Sequence, residues 1–121
     1  MPVPSTFIPL RGLPDGIGLA PGLKNTVDVF VTHEQSRVPF LGLADFVDSS
    51  VSRLSIRVSN RQVVAASVAL PPSAGFIRFC SAFMAGPAEG FDRYVFFANE
   101  ESDDDIAVPA GALYGPDPAI A

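Results

Sequence analysis

Proline and glycine interrupt this chain so often that long elements do not fit into it. Twelve prolines and ten glycines are spread over 121 residues. Proline lacks a backbone donor and ends helices, while glycine accepts turn conformations, so both residues punctuate the chain. We therefore expect many short elements joined by turns. No apolar run approaches the ~20 residues of a membrane-spanning helix, so we expect no membrane span.

The overall composition is that of a folded protein. Hydrophobic residues make up 48% of the chain and charged residues 17%, whereas disordered chains are poor in apolar residues and rich in charge. The length suits one domain, and we treat residues 1–121 as a single unit.

Charge and cysteine content narrow the function classes. The net charge is −5 and no basic stripe is present, which argues against nucleic-acid binding. The single cysteine, Cys80, and the single histidine, His33, exclude an internal disulfide and a zinc quartet. A Cys80–His33 catalytic pair stays open but has no further pattern to support it. The N-terminus lacks the basic segment and the apolar segment of a signal peptide, so no signal peptide is visible.

The local patterns predict an all-β chain. Residues 13–16 read as a turn, residues 37–50 and 83–90 as irregular connections, and the tail 103–121 as irregular. A turn is expected at residues 60–61. Runs rich in β-branched and aromatic residues favour strands, and these runs are 27–32, 51–58, 62–70 and 93–98. The alanines of residues 62–70 also fit a helix, but the β-branched residues and the following Pro71-Pro72 favour a strand. Residues 75–80 are another short apolar run.

One stretch repeats itself within the sequence. Residues 29–36 align without gaps on residues 95–102, an offset of 66 (102 − 36), and both copies are a strand that runs into a glutamate. Carboxylates at equivalent strand ends could converge on one axis, where a hard cation relieves their repulsion. The candidates are Glu34 from the first copy and Glu100 or Glu101 from the second. The simpler interpretation, glutamates that solvate strand ends, stays open.

Two segments resemble PhoX-type alkaline phosphatases. The Pro14-Asp15-Gly16 step, followed by a strand ending in Thr32-His33-Glu34, is similar to the opening of that family. The segment around Cys80, the Gly86-Pro87 loop and the strand ending in Glu100-Glu101 resemble the family's cysteine segment, loop and glutamate pair. The resemblance covers residues 13–102.

The resemblance implies a fold and an activity. The fold would be a partial β-propeller of about two blades, belonging to a larger propeller whose remaining blades lie outside this chain. The activity would be calcium- and iron-dependent hydrolysis of phosphate monoesters, in a periplasmic or secreted protein, and we expect this chain alone to be inactive.

The resemblance also implies site residues. Cys80 would bind iron, and Glu101 would bind in the calcium cluster. The repeat adds Glu34 and Glu100 as further candidate ligands, and His33 could support the ligands without binding the metal itself. No catalytic residue is assigned.

The sequence departs from the family pattern beside the cysteine and in the first copy. Ser81-Ala82-Phe83 replaces a glycine-rich stretch, and Gln35 stands where a second acid would be. Two alternatives therefore stay open: a non-catalytic propeller that serves in binding or as a surface protein, and a calcium-dependent lactonase or esterase of propeller type. The acidic run Asp103–Asp105 could extend a cation site or form an exposed loop.

Overall fold

The computed structural model describes residues 13–34, 49–76, 79–100 and 119–120, the last two as backbone only. In this part of the chain the structure is all-β, as predicted, with two short 3₁₀ turns at Pro72–Ala74 and Pro87–Glu89. The seven strands are β1 Leu13–Pro21, β2 Thr26–Glu34, β3 Ser50–Arg57, β4 Val63–Leu70, β5 Phe79–Ala85, β6 Val95–Glu100 and β7 Ala119–Ile120.

The first sheet is an antiparallel meander in the order β1-β2-β3-β4. Strands β2 and β4 each contain three valines, which suit a pleated, half-buried surface. The β1–β2 turn uses Lys24 and Asn25 at φ 48 and 59. The β3–β4 turn uses Arg61 at φ 60, and the Arg57 amide donates to the Gln62 carbonyl at 2.9 Å. Both turns are short, so each strand pairs with its sequence neighbour.

The second sheet follows the order β5-β6-β7. Strands β5 and β6 pair antiparallel around the loop that contains the second 3₁₀ turn. Strand β7 runs parallel to β6, with Ala119 opposite Val95. The second sheet therefore differs from the four-stranded meander of the first sheet, because it has three strands and its third strand has only two residues.

The two sheets pack face to face over one core. A Cβ atom built on Gly16 would lie 2.5 Å from Ala82 Cβ, and one built on Gly18 would lie 2.6 Å from the Phe96 ring. Glycine at both positions therefore lets the sheets approach closely. The buried core cluster consists of Phe30, Val51, Leu70, Phe76, Phe79 and Phe96.

The 66-residue repeat reappears in the pairing of the strands. Leu13 lies opposite Glu34 in the β1–β2 hairpin, and Phe79 lies opposite Glu100 in the β5–β6 hairpin, each shifted by 66 positions. Gly18 opposite Phe30 corresponds in the same way to Met84 opposite Phe96. The register of the two hairpins is therefore the same.

Corresponding faces of the two hairpins meet each other. Gly16 approaches Ala82 and Gly18 approaches Met84, and in each pair the second residue is the 66-shifted equivalent of the first. Contacts between equivalent surfaces are the mark of a two-fold relation. Blades in a ring are related by a rotation that stacks the front of one on the back of the next, which is a different contact.

Several local predictions need correction. Residues 13–16 are not a turn but the start of β1, because β2 supplies a pairing partner for them. Residues 83–85 extend β5 rather than belonging to a loop. The tail residues 119–120 form β7, whereas the connection 37–48 and the tail 103–118 lie outside the described residues. The strands predicted at 27–32, 51–58, 62–70 and 93–98 are confirmed with small changes at their ends.

Candidate metal centre

Three side chains with metal-binding donors meet at one end of the two hairpins. The carboxylate oxygens of Asp15 and Glu34 and the sulfur of Cys80 all lie within 4.8 Å of one another. Asp15 is exposed, and the other two residues are half-buried. The structure thus brings together Glu34 and Cys80, two residues that the sequence pointed to, and adds Asp15.

A β-bulge presents Asp15. Between the pairs Pro14–His33 and Ile17–Val31, strand β1 has two residues where β2 has only Thr32. The Gly16 amide donates to Thr32 Oγ1 at 2.8 Å, so a side chain replaces the backbone partner at this position. Bulges bend a strand and re-aim its side chains, and they are frequent next to functional sites.

A second bulge carries Cys80. Between the pairs Phe79–Glu100 and Ser81–Asn99, strand β5 has one residue, Cys80, that β6 does not match. This bulge lies at the same end of its hairpin as the bulge of β1. The two irregularities therefore face each other across the sheet interface, and each contributes one donor.

Glu34 and Glu100 end equivalent strands. Glu34 is the last residue of β2 and Glu100 the last residue of β6, at positions 66 apart. Glu100 lies opposite Phe79, next to the Cys80 bulge, and is half-buried. Both acids therefore lie at the same end of the two hairpins, but Glu100 is not one of the three grouped donors, and its role as a ligand stays a prediction. Glu101 lies outside the described residues, as does the acidic run Asp103–Asp105.

His33 is buried and contacts Ser52. The ring atom Nε2 lies 2.8 Å from Ser52 Oγ, and both side chains are at most 3% exposed. Successive side chains of a strand point to opposite faces, so His33 and Glu34 project to opposite sides of β2. Support of the metal ligands by His33 stays a prediction.

The donor geometry is compatible with a single cation. Calcium binds oxygen at about 2.3–2.6 Å, so one ion can join ligands up to about 5 Å apart, and the three donors fall within that limit. Carboxylates suit calcium, and a thiolate suits iron or zinc. Since calcium takes about six to eight ligands, three donors supply only part of a coordination shell. The residues fit a metal and call for further ligands.

Sequence reasoning missed Asp15 for an identifiable reason. Pro14-Asp15-Gly16 is a strong turn pattern, and the bulge exists only because β2 pairs on both sides of it. The available signal was the spacing between Asp15 and Glu34, which a hairpin with its turn at residues 22–25 brings to the same end.

Comparison of the chain with protein-family models, with curated proteins and with solved structures found no match. Within the described residues, none of the helical segments has the length and apolar character needed to cross a bilayer.

Proposed function

We propose that this chain carries part of the metal centre of a PhoX-like, metal-dependent phosphomonoesterase. One observation carries the proposal: the thiol of Cys80 on β5 and the carboxylates of Asp15 and Glu34 on the β1–β2 hairpin have their donor atoms within 4.8 Å of one another. A thiol beside acids is the donor set that suits a mixed centre of a soft and a hard cation.

In this proposal the residues at the two bulges and at the two strand ends bind two different metals. Cys80 binds iron, while Asp15 and Glu34 bind calcium together with Glu100 and Glu101. When bound, such metals stabilise the charge of a phosphate ester and orient its leaving group. The chain itself holds the donors in place, because each lies on a strand anchored in the core.

Exposure decides from which side a substrate would enter. Asp15 is exposed, whereas Cys80 and Glu34 are half-buried. The open side of the centre is therefore at the β1 bulge, and we propose that a small phosphate ester approaches there. The phosphate-binding groups and the catalytic residues would come from parts of the fold other than the described strands.

The proposal keeps the propeller fold for strands β1–β4 but not for the β5–β6 hairpin. The four-stranded meander β1–β4 has the strand number and topology of one propeller blade. The β5–β6 hairpin meets it with the equivalent face, so we do not propose that the hairpin is the next blade related by the rotation of the ring. Further blades, and a periplasmic or secreted location, remain part of the proposal through the family resemblance.

The position of the thiol separates this proposal from its alternatives. A calcium-dependent lactonase or esterase of propeller type needs only oxygen donors, and a non-catalytic binding propeller needs no metal. The sulfur of Cys80 lies beside the two carboxylates instead of being buried in the Phe core. This placement favours the mixed metal centre.

The amounts of bound iron and calcium test the proposal directly. The full chain is loaded without oxygen with Fe²⁺ and Ca²⁺, desalted, and analysed by mass spectrometry for both elements. We expect Cys80→Ser to lose iron, and Asp15→Asn and Glu34→Gln to lose calcium. Asp92→Asn, a change at an exposed acid away from the centre, serves as the matched control and should keep both metals. Iron content that is the same in Cys80→Ser and in the unmodified chain would refute the role of the thiol.

Activity is a separate measurement. Hydrolysis of p-nitrophenyl phosphate by a longer protein that contains this segment should depend on Cys80 and Glu34 but not on Asp92. If metal binds and phosphate esters are not cleaved, the binding-protein alternative replaces the hydrolase.

A further inference from the structure

The hydroxyl of Thr32 takes the place of a missing backbone partner in the β1 bulge. Strand β1 has Asp15 and Gly16 where β2 has only Thr32. The Gly16 amide donates to Thr32 Oγ1 at 2.8 Å, and the Thr32 hydroxyl lies 3.4 Å from the Gly16 carbonyl oxygen. One side chain of β2 therefore contacts both backbone polar groups of the residue that follows Asp15.

This contact is enclosed from both sides. Thr32 is 0% exposed, so its hydroxyl is out of reach of bulk water. A Cβ atom built on Gly16 would lie 3.1 Å from Thr32 Oγ1 and 2.9 Å from the Ala82 backbone nitrogen. Gly16 is therefore held between the hydroxyl of β2 and the backbone of β5, and the bulge has little freedom to change its shape.

The second hairpin has no hydroxyl at the corresponding position, where its strands pair regularly. Ala98 of β6 is the 66-shifted equivalent of Thr32, and it lies directly opposite Ala82. A regular pair of antiparallel residues needs no side chain to satisfy its backbone groups. The hydroxyl is thus present in the copy where the bulge leaves a backbone amide to be satisfied, and absent in the copy where it does not.

We propose that Thr32 is a positioning residue for the cation, which holds the β1 bulge in the shape that brings Asp15 to Glu34 and Cys80. This inference rests on the proposed function, because it concerns the same metal centre. Asp15 is exposed, so the position of its carboxylate depends on the backbone of the bulge more than on packing. Partners that orient metal ligands from behind typically contribute about 10–100-fold to metal affinity.

The calcium affinity of the full chain tests this role. Isothermal titration calorimetry with Ca²⁺ gives the dissociation constant of the unmodified chain and of three variants. Thr32→Val and Thr32→Ala both remove the hydroxyl, the second without adding a methyl group beside Gly16, and we expect each to weaken binding about tenfold or more. Thr32→Ser keeps the hydroxyl, so it should bind Ca²⁺ almost as tightly as the unmodified chain. Rescue by serine follows the hydrogen bond and not the packing of the side chain.

Two controls separate positioning from a general loss of stability. Val51→Ala removes packing at the fully buried residue opposite Thr32 in β3, and it should leave the calcium affinity unchanged because it does not touch the bulge. Thr26→Val makes the same chemical change at the other end of β2, where the hydroxyl donates to the Leu23 carbonyl at 2.5 Å, and it should also leave the affinity unchanged. Thermal unfolding with a chelator shows which variants are folded at the temperature of the titration.

The outcomes distinguish this inference from the proposed function. If the unmodified chain binds Ca²⁺ and the variants without the hydroxyl bind it equally well, the role of Thr32 is refuted while the metal centre stands. If Val51→Ala weakens binding as much as they do, the effect is one of stability and the inference is overturned in the same way. An unmodified chain that binds no Ca²⁺ would refute the proposed function, and this inference with it.

Discussion

The rings of Phe30 in β2 and Phe96 in β6 lie 5.4 Å apart, centroid to centroid, with their planes inclined by 30°. Both side chains are fully buried, at 1% and 0% exposure. They occupy corresponding positions of the 66-residue repeat, so the contact joins one hairpin to its equivalent across the sheet interface. The centre of the core is thus formed by a contact between the two copies of the repeat.

We expect Phe96→Ala to lower the free energy of unfolding by about 3–5 kcal/mol, because it removes a buried ring and leaves a cavity. Phe30→Ala should cost a similar amount, and the double variant should cost less than the sum, because the rings contact each other. Urea denaturation measures all three values. Phe83→Ala, at a side chain that is 56% exposed, is the control. A Phe96→Ala loss no larger than that of Phe83→Ala would contradict the proposed core.

We expect Gly16→Ala to destabilise the protein by about 1–3 kcal/mol through overpacking. The added Cβ would lie 2.5 Å from Ala82 Cβ and 2.9 Å from the Ala82 backbone nitrogen, so part of the clash is with backbone that cannot move aside cheaply. Adding Ala82→Gly should recover some of the loss in thermal unfolding, and Ala82→Gly alone gives the reference. If Gly16→Ala is as stable as the unmodified chain, the sheets are farther apart than described.

A partly buried ion pair gives the third prediction. Asp28 is 4% exposed, and its Oδ2 accepts from Arg53 Nη2 at 2.5 Å while its Oδ1 accepts from Ser55 Oγ at 2.6 Å. Asp28→Asn removes the charge that Arg53 contacts, and hydrogen bonds to charged groups contribute about 1.5–3 kcal/mol each. We expect a loss of about 2–3 kcal/mol in urea denaturation. The exposed Asp92→Asn should stay within about 0.5 kcal/mol, and an equal effect of both changes would show that the Asp28–Arg53 contact contributes little.

Glu34→Gln should have opposite effects with and without calcium. Without metal it removes repulsion between two nearby carboxylates, so stability should stay the same or rise by up to about 1 kcal/mol. With calcium at 100 times its dissociation constant, the unmodified chain gains about 2.7 kcal/mol, and the variant should gain much less. Melting temperatures with Ca²⁺ and with a chelator measure both effects. A calcium-induced rise that is the same in both proteins would place the cation elsewhere.

The sequence predicted the middle of the fold better than its ends. Strands β3 and β4 follow from alternating β-branched residues and the turn at 60–61, since that information is local. Strand β1 was missed, because Pro14-Asp15-Gly16 forms a turn in most contexts and only pairing with β2 makes it a bulge. The repeat predicted that Glu34 and Glu100 end equivalent strands. It did not predict that equivalent faces would meet, because the roles of Gly16 and Gly18 become visible only when the second sheet packs against them.

Because of the two bulges, the metal-binding donor atoms lie apart from the side chains that pack the two sheets together. Asp15 and Cys80 are placed by local irregularities at one end of the hairpins, and the phenylalanine layer that joins the sheets does not include them. Residues at the donor positions can therefore be replaced without changing the spacing of the sheets. This end of the hairpins can therefore change its chemistry from one sequence to another while the two sheets keep the same arrangement.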